Sequence, residues 1–276
     1  MSSTTSFSGW REMGRVGRAL VMHEFLERTR DRWVLVISVL FALLASAVSL
    51  YGQSAAAEVA KLTGPSLVTL ASLFIPLVAM VLSHDTIVGE RERNTLGLLL
   101  SLPVSRFEVV IAKFVGRALA LVAAIGLGLG SAVLMSDASG ANALLHLAGP
   151  TFLLGLAFLS IGMLISSCTR RQVTAASAVV IVWFALVFFF DLGLLGMLVM
   201  SDGAISQQTI AALVIANPAG LYRVEMMHAF AGPEVLADLG MTAALPGPVL
   251  VGAIWACWVL LPSIASGAIL SRAKVP

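Results

Sequence analysis

Charge is scarce in this sequence: 12% of its 276 residues are charged, against 59% hydrophobic. Soluble domains carry about twice that density of charge, so that class is excluded and a membrane protein is expected. Cysteine is nearly absent. Cys168 and Cys257 lie far apart, inside or beside apolar runs, which suggests packing residues and neither a disulfide framework nor a C-x-x-C motif. No GxxxxGK[ST] occurs, so nucleotide hydrolysis on this chain is not expected. HExxH and GxSxG are missing too, and Ser139 with His146, lacking a glycine-framed nucleophile, make a poor intramembrane hydrolase. There is no ladder of acids through several apolar runs, as proton-coupled carriers tend to need. The ten-residue alternation of barrel strands and internal repeats are likewise missing.

What is present is long apolar runs. Crossing about 30 Å of hydrocarbon takes roughly 20 apolar residues in a helix. Six stretches qualify: Trp33–Tyr51, Pro65–Ser83, Phe107–Met135, Leu144–Ser167, Val173–Met200 and Pro248–Leu270. The first follows some thirty polar and basic residues and ends in no small-residue cleavage pattern, which reads as a retained span. The expected fold is an all-α integral membrane protein with six transmembrane helices. Residues 1–32 form an N-terminal segment and 33–276 one membrane domain.

Orientation follows from lysine and arginine. Fifteen of the 17 fall in the N-terminal segment, around residues 91–117, at Arg170 and Arg171, and at Arg272 and Lys274; only Lys61 and Arg223 fall on the other side. Both termini are therefore expected in the cytoplasm. Residues 10–22, WREMGRVGRALVM, place Trp10, Met13, Val16, Leu20 and Val21 on one helical face and Arg11, Arg15 and Arg18 on another. This is the pattern of an amphipathic interfacial helix against membrane lipid. The stripe drifts after Val21, where Glu24, Glu27 and Arg28 rotate onto it.

Between the second and third runs lies HDTIVGERERNTLGLLLSLPVSR, residues 84–106. Its charges cannot lie in lipid, and TLGLLL is too apolar for a solvated loop. Gly89 and Leu102-Pro103 bracket a short helical stretch in which Glu90 and Arg93 share one side, leaving Leu96, Leu99 and Leu100 to face a protein groove; the alternative is a charged hairpin tucked under its own bundle. On the outer side, residues 201–247 contain a Pro-started helix with Leu221, Val224, Met227 and Phe230 along one face. There Met226, Met227 and His228 are weak candidates for a soft metal, against plain apolar filling. In the third run Ala112, Gly116, Ala120, Ala124, Gly128 and Ala132 form a small-residue row for close helix contact, within one chain or between two. Asp191 is the one acid deep in an apolar run, either functional or a cap on a helix break near the outer interface.

GERERNTLGLLLSLPVSR resembles the signature that follows the second span of type V exporter-like ABC permeases. DRWVLVISVLFALLASAVSLYG (31–52), VWFALVFFFDLGLL (182–195) and ANPAGLYR (216–223) extend the resemblance across most of the chain. Within the family they point to the permeases serving copper-site maturation of nitrous oxide reductase. The resemblance implies that residues 86–100 form a cytoplasmic coupling helix seated in an ATPase cleft, with Val88, Gly89, Glu90, Glu92, Thr95, Leu96 and Leu99 carrying the coupling. It also implies a homodimer, a separate cytoplasmic ABC ATPase holding ATP and Mg, and a periplasmic accessory protein. No cofactor on this chain and no nucleic-acid partner are expected. At Asn94 the sequence departs from the usual pattern, where many relatives have glycine. The residues alone leave open an exporter of a drug, haem or lipid, and a non-transporting assembly scaffold.

Overall fold

The structure, a computed structural model, describes residues 5–30, 32–54, 63–101, 105–136, 138–202, 204–238 and 247–272. Lys61 and the Leu102-Pro103 pair lie outside them, as do the side chains of Trp10, Met13, Val16, Leu100, Ser139 and Phe230. Among the described residues every regular element is helical: α1 (Thr5–Thr29), α2 (Arg32–Ser54), α3 (Thr63–Ser83), α4 (Val88–Glu92), α5 (Leu96–Leu100), α6 (Arg106–Leu134), α7 (Ala138–Cys168), α8 (Gln172–Phe184), a π-turn (Ala185–Phe189), α9 (Phe190–Met200), α10 (Gln207–Ala216), α11 (Pro218–Asp238) and α12 (Pro248–Arg272). Each of the six apolar runs falls on one helical stretch to within a residue. Five of these, α3, α6, α7, α8 through α9, and α12, are long and apolar enough to cross a membrane. In α2 the described apolar run is Ser38–Ala47.

Between helices in lipid, close packing replaces the hydrophobic effect as the adhesive. The small-residue row of α6 is used within the chain, since all six of its members are buried. Its first half receives α1: a Cβ on Gly116 would stand 2.7 Å from the Val21 carbonyl oxygen and 2.6 Å from the Glu24 Cβ. The second half receives α2, with Phe41 seated on Gly128 and Ser46 Oγ donating to Ser131 Oγ at 3.0 Å. On the other flank of α6, α3 and α7 enclose the main core through Ile75, Leu121, Leu154 and Phe158.

Proline inside a helix leaves the carbonyl four residues earlier without its donor. In α12 that carbonyl, Trp258 before Pro262, accepts from Ser160 Oγ of α7 at 3.0 Å. A similar bond ties α8 to α3 near Pro76, where Trp183 Nε1 donates to the Leu73 carbonyl at 3.2 Å.

Candidate functional site

The lysines and arginines concentrate at one end of the bundle, and there α1, the 84–101 segment and α6 enclose a group of six charges. Arg117, 1% exposed, donates from Nη1 to Asp85 at 2.9 Å and from Nε to Glu24 at 3.2 Å, and it also caps the Leu82 carbonyl at the end of α3. Lys113 bonds Glu24 and reaches Glu90 at 2.9 Å. Arg28 pairs with Asp85 at 2.9 Å. Three carboxylates thus balance three cations, the arrangement that makes charge tolerable where water is scarce. Burial alone would raise the Glu24 carboxyl; Arg117, Lys113 and Arg28 outweigh it and hold the group below its ordinary value. The drift in the α1 stripe is the face that α1 turns to this cluster.

The 84–101 segment is seated under the bundle by all of its neighbours. Ile87 and Val88 amides donate to Ser166 Oγ of α7 at 3.0 and 3.1 Å, which caps α4 from another helix. Ile87 packs with Val110, Met163 and Leu270, and Leu96 rests on the same cluster. Arg91 Nη1 donates to the Thr169 carbonyl at 2.6 Å, and the exposed Glu92 accepts from the Gln172 amide at 2.8 Å, the first residue of α8. Asn94 sits at φ 56°, a left-handed turn that asparagine tolerates better than most residues, so the position where many relatives have glycine keeps glycine's geometry. Arg106 closes the end, donating to the Leu270 and Ser271 carbonyls at 3.0 and 2.9 Å.

Of the seven residues proposed for coupling, Val88 and Gly89 are buried, Glu90 belongs to the charge cluster, and Thr95 donates to Glu90. Leu96 and Leu99 are half-buried, and Glu92 is exposed at the rim. Among the described apolar side chains of this segment Leu98 is the one that faces outward, 71% exposed, near the exposed Asn94.

At the opposite end, Asp191 lies in the first turn of α9 and is gripped by Arg223 of α11 through two bonds, of 2.5 and 2.9 Å. Met226 is buried, Met227 half-buried and His228 exposed. Successive helical residues point about 100° apart, so these three do not converge on a point. Among the described residues no group of three His, Cys, Asp or Glu side chains is placed to hold a metal. His146 is exposed.

Residues 18–274 match the family described as ABC-2 family transporter protein. The chain belongs to that family. Among similar proteins is the "Probable ABC transporter permease protein NosY" of Pseudomonas aeruginosa, 35% identical over 244 residues, 84% of this chain and 88% of that one. The protein of the same name from Stutzerimonas stutzeri is 34% identical over 265 residues, 90% and 95% of the two chains. The chain is thus an ABC-2 permease, a membrane subunit of an ABC transporter. In this permease the 84–101 segment touches five helices: α1 through Arg28, α6 through Lys113 and Arg117, α7 through Ser166, α8 through Gln172 and α12 through Leu270. Sequence reasoning missed Lys113, Arg117, Glu24 and Arg28 as one group. A lysine and an arginine four apart inside a span were the available signal, since such charges need buried partners.

Proposed function

We propose that the chain is the six-span permease subunit of an ATP-driven ABC transporter of the bacterial inner membrane, with both termini cytoplasmic. A separate ATPase, holding ATP and Mg, docks on the 86–100 segment, and its nucleotide cycle biases a two-state arrangement of the bundle. The observation that carries this reading is the segment's two-sidedness. Its inner side is fastened by the charge cluster and by Ser166, while Leu98 and Asn94 face outward and the half-exposed Arg93 turns back to Glu90 and Glu27 at 3.8 Å each. In this reading Leu98, exposed on a segment that is otherwise fastened to the bundle, is the anchor that enters a pocket of the ATPase.

The permease works as a homodimer, with α1 near lipid headgroups and the 201–247 segment meeting a periplasmic accessory protein. Its role lies in maturation of the copper site of nitrous oxide reductase, by moving a substrate or by passing force to the outer partner. The quoted resemblance and the likeness to two proteins named NosY support this assignment. A second reading, an exporter of a drug, haem or lipid, draws on Phe184, Phe188 and Phe189, which stand exposed around the π-turn.

Mass spectrometry of what co-purifies with the detergent-solubilised protein from its native membrane tests the proposal. Recovery of a P-loop ATPase together with a periplasmic subunit is the expected result. A chain recovered without any ATPase would overturn the reading.

A further inference from the structure

Two stretches far apart in sequence, 182–195 and 216–223, meet at the end of the bundle away from the charge cluster. A π-turn inserts one residue into a helix and disturbs its i to i−4 ladder, so it survives where outside groups take up the backbone it strands. Here Asn217 does so. Its side chain is buried; Nδ2 donates to the Leu186 carbonyl inside the π-turn at 2.7 Å, and Oδ1 accepts from the Ala219 amide at 3.0 Å, opening α11. On the same helix Arg223 holds both oxygens of Asp191, two residues beyond the π-turn. The irregular turn is thus supported from within by one α11 side chain and pinned at its exit by another. Meanwhile α11 is seated deeper in the bundle by Tyr222, whose hydroxyl meets Thr151 Oγ1 at 3.0 Å, and the end of α10 just before it is held by Trp258 Nε1, which donates to the Ala216 carbonyl at 2.9 Å.

The other end of the same helical stretch is fastened just as specifically, by Glu92 to the Gln172 amide and by Arg91 to the Thr169 carbonyl just before it. We propose that Asn217, Arg223 and Asp191 form a clasp that maintains the π-turn and obliges α11 to follow the 172–200 helix, so that a displacement entering at Gln172 reaches the outer segment. These are positioning residues. Asp191 serves in the clasp as an arginine partner, with both of its oxygens engaged. The source of the displacement rests on the ATPase-docking reading; the clasp itself does not.

Hydrogen–deuterium exchange on the full-length permease in detergent, with and without its ATPase, tests this. In the nucleotide-free protein, Asp191→Asn and Asn217→Ala each raise exchange of amides in both 185–194 and 217–228 at least tenfold, leave 86–93 at the wild-type rate, and the exchanged pair Asp191→Arg with Arg223→Asp recovers protection. Should Asp191→Asn fail to fold, Arg223→Lys, which keeps the charge and loses the two-point grip, gives the same comparison. Faster exchange confined to 185–194, with 217–228 unmoved, would overturn the clasp. With the ATPase bound, trapping nucleotide changes exchange at 217–228 in the wild type and not in Asn217→Ala, while 86–93 responds in both. A wild type whose 86–93 amides ignore nucleotide would count against ATPase docking, and the nucleotide-free comparison would still decide the clasp.

Discussion

Lys113 stands between Glu24 and Glu90, almost fully buried, and its removal strands carboxylates in a site that water reaches poorly. Lys113→Met is therefore expected to cost about 3–5 kcal/mol, the usual penalty for breaking one side of a buried pair. Glu24→Gln added to it costs less than the two single losses together, because the second change relieves the first. Thermal unfolding in detergent measures both. Glu24 also sets a pH dependence. Its carboxyl is held below the ordinary value of 4.5, so the stability it contributes is present above about pH 4.5 and is lost as pH falls toward the depressed folded value. Glu24→Gln removes the Glu24 share of that acid limb and leaves the shares of Asp85 and Glu90, whose carboxyls burial would raise and the cations of the cluster also hold below their ordinary values. At this scale the sequence was only partly legible. The drift of Glu24 and Arg28 onto the α1 stripe was visible, but periodicity reports amphipathic faces and cannot tell a solvated charge from one buried against partners far along the chain, Lys113 and Arg117 for Glu24 and Asp85 for Arg28.

Helices α1 and α2 divide one face of α6 between them, and the closeness of approach depends on two glycines. Gly116→Ala drives a methyl into the Val21 carbonyl and the Glu24 Cβ and should cost about 1–3 kcal/mol, loosening α1. Gly126→Ala, with open space at its Cβ, is expected to be neutral or slightly stabilising. Comparing the two melting temperatures separates packing from helix propensity. Within α4, Ser166→Ala leaves the Ile87 and Val88 amides without their acceptor, at roughly 1–3 kcal/mol, and amide exchange over 87–93 should rise while the rest of α7 holds. The helices themselves were easy to read, since runs of about 20 apolar residues have few other solutions. The small-residue row announced a helix contact but not its owner, because spacing marks a face and says nothing of what covers it. The π-turn at 185–189 was hidden: no residue type signals it, and only the excess length of the fifth run hinted at a break.

As a whole molecule, the permease reads as a bundle gripped at both ends by polar contacts, with lipid-compatible packing between them. One end is fastened around the 84–101 segment by the six-charge cluster, Ser166, Glu92 and Arg106; the other is fastened around the π-turn by α11. Family membership was legible from the signature and from three further stretches. Within the signature Glu90 and Leu96 are half-buried against the bundle and Leu98 is exposed, a distribution that the pattern of the signature does not encode; the left-handed turn at Asn94 sets the phase of α5 relative to α4. The account stands on Leu98 as the anchor for the ATPase. The decisive measurement is ATPase activity and co-purification with Leu98→Asp, a change at an exposed position that leaves the charge cluster intact. The account predicts that the variant inserts and melts like the wild type, while affinity for the ATPase and stimulation of hydrolysis fall at least about tenfold, the loss of roughly 1.4 kcal/mol or more of binding. Wild-type association and stimulation in Leu98→Asp would contradict it.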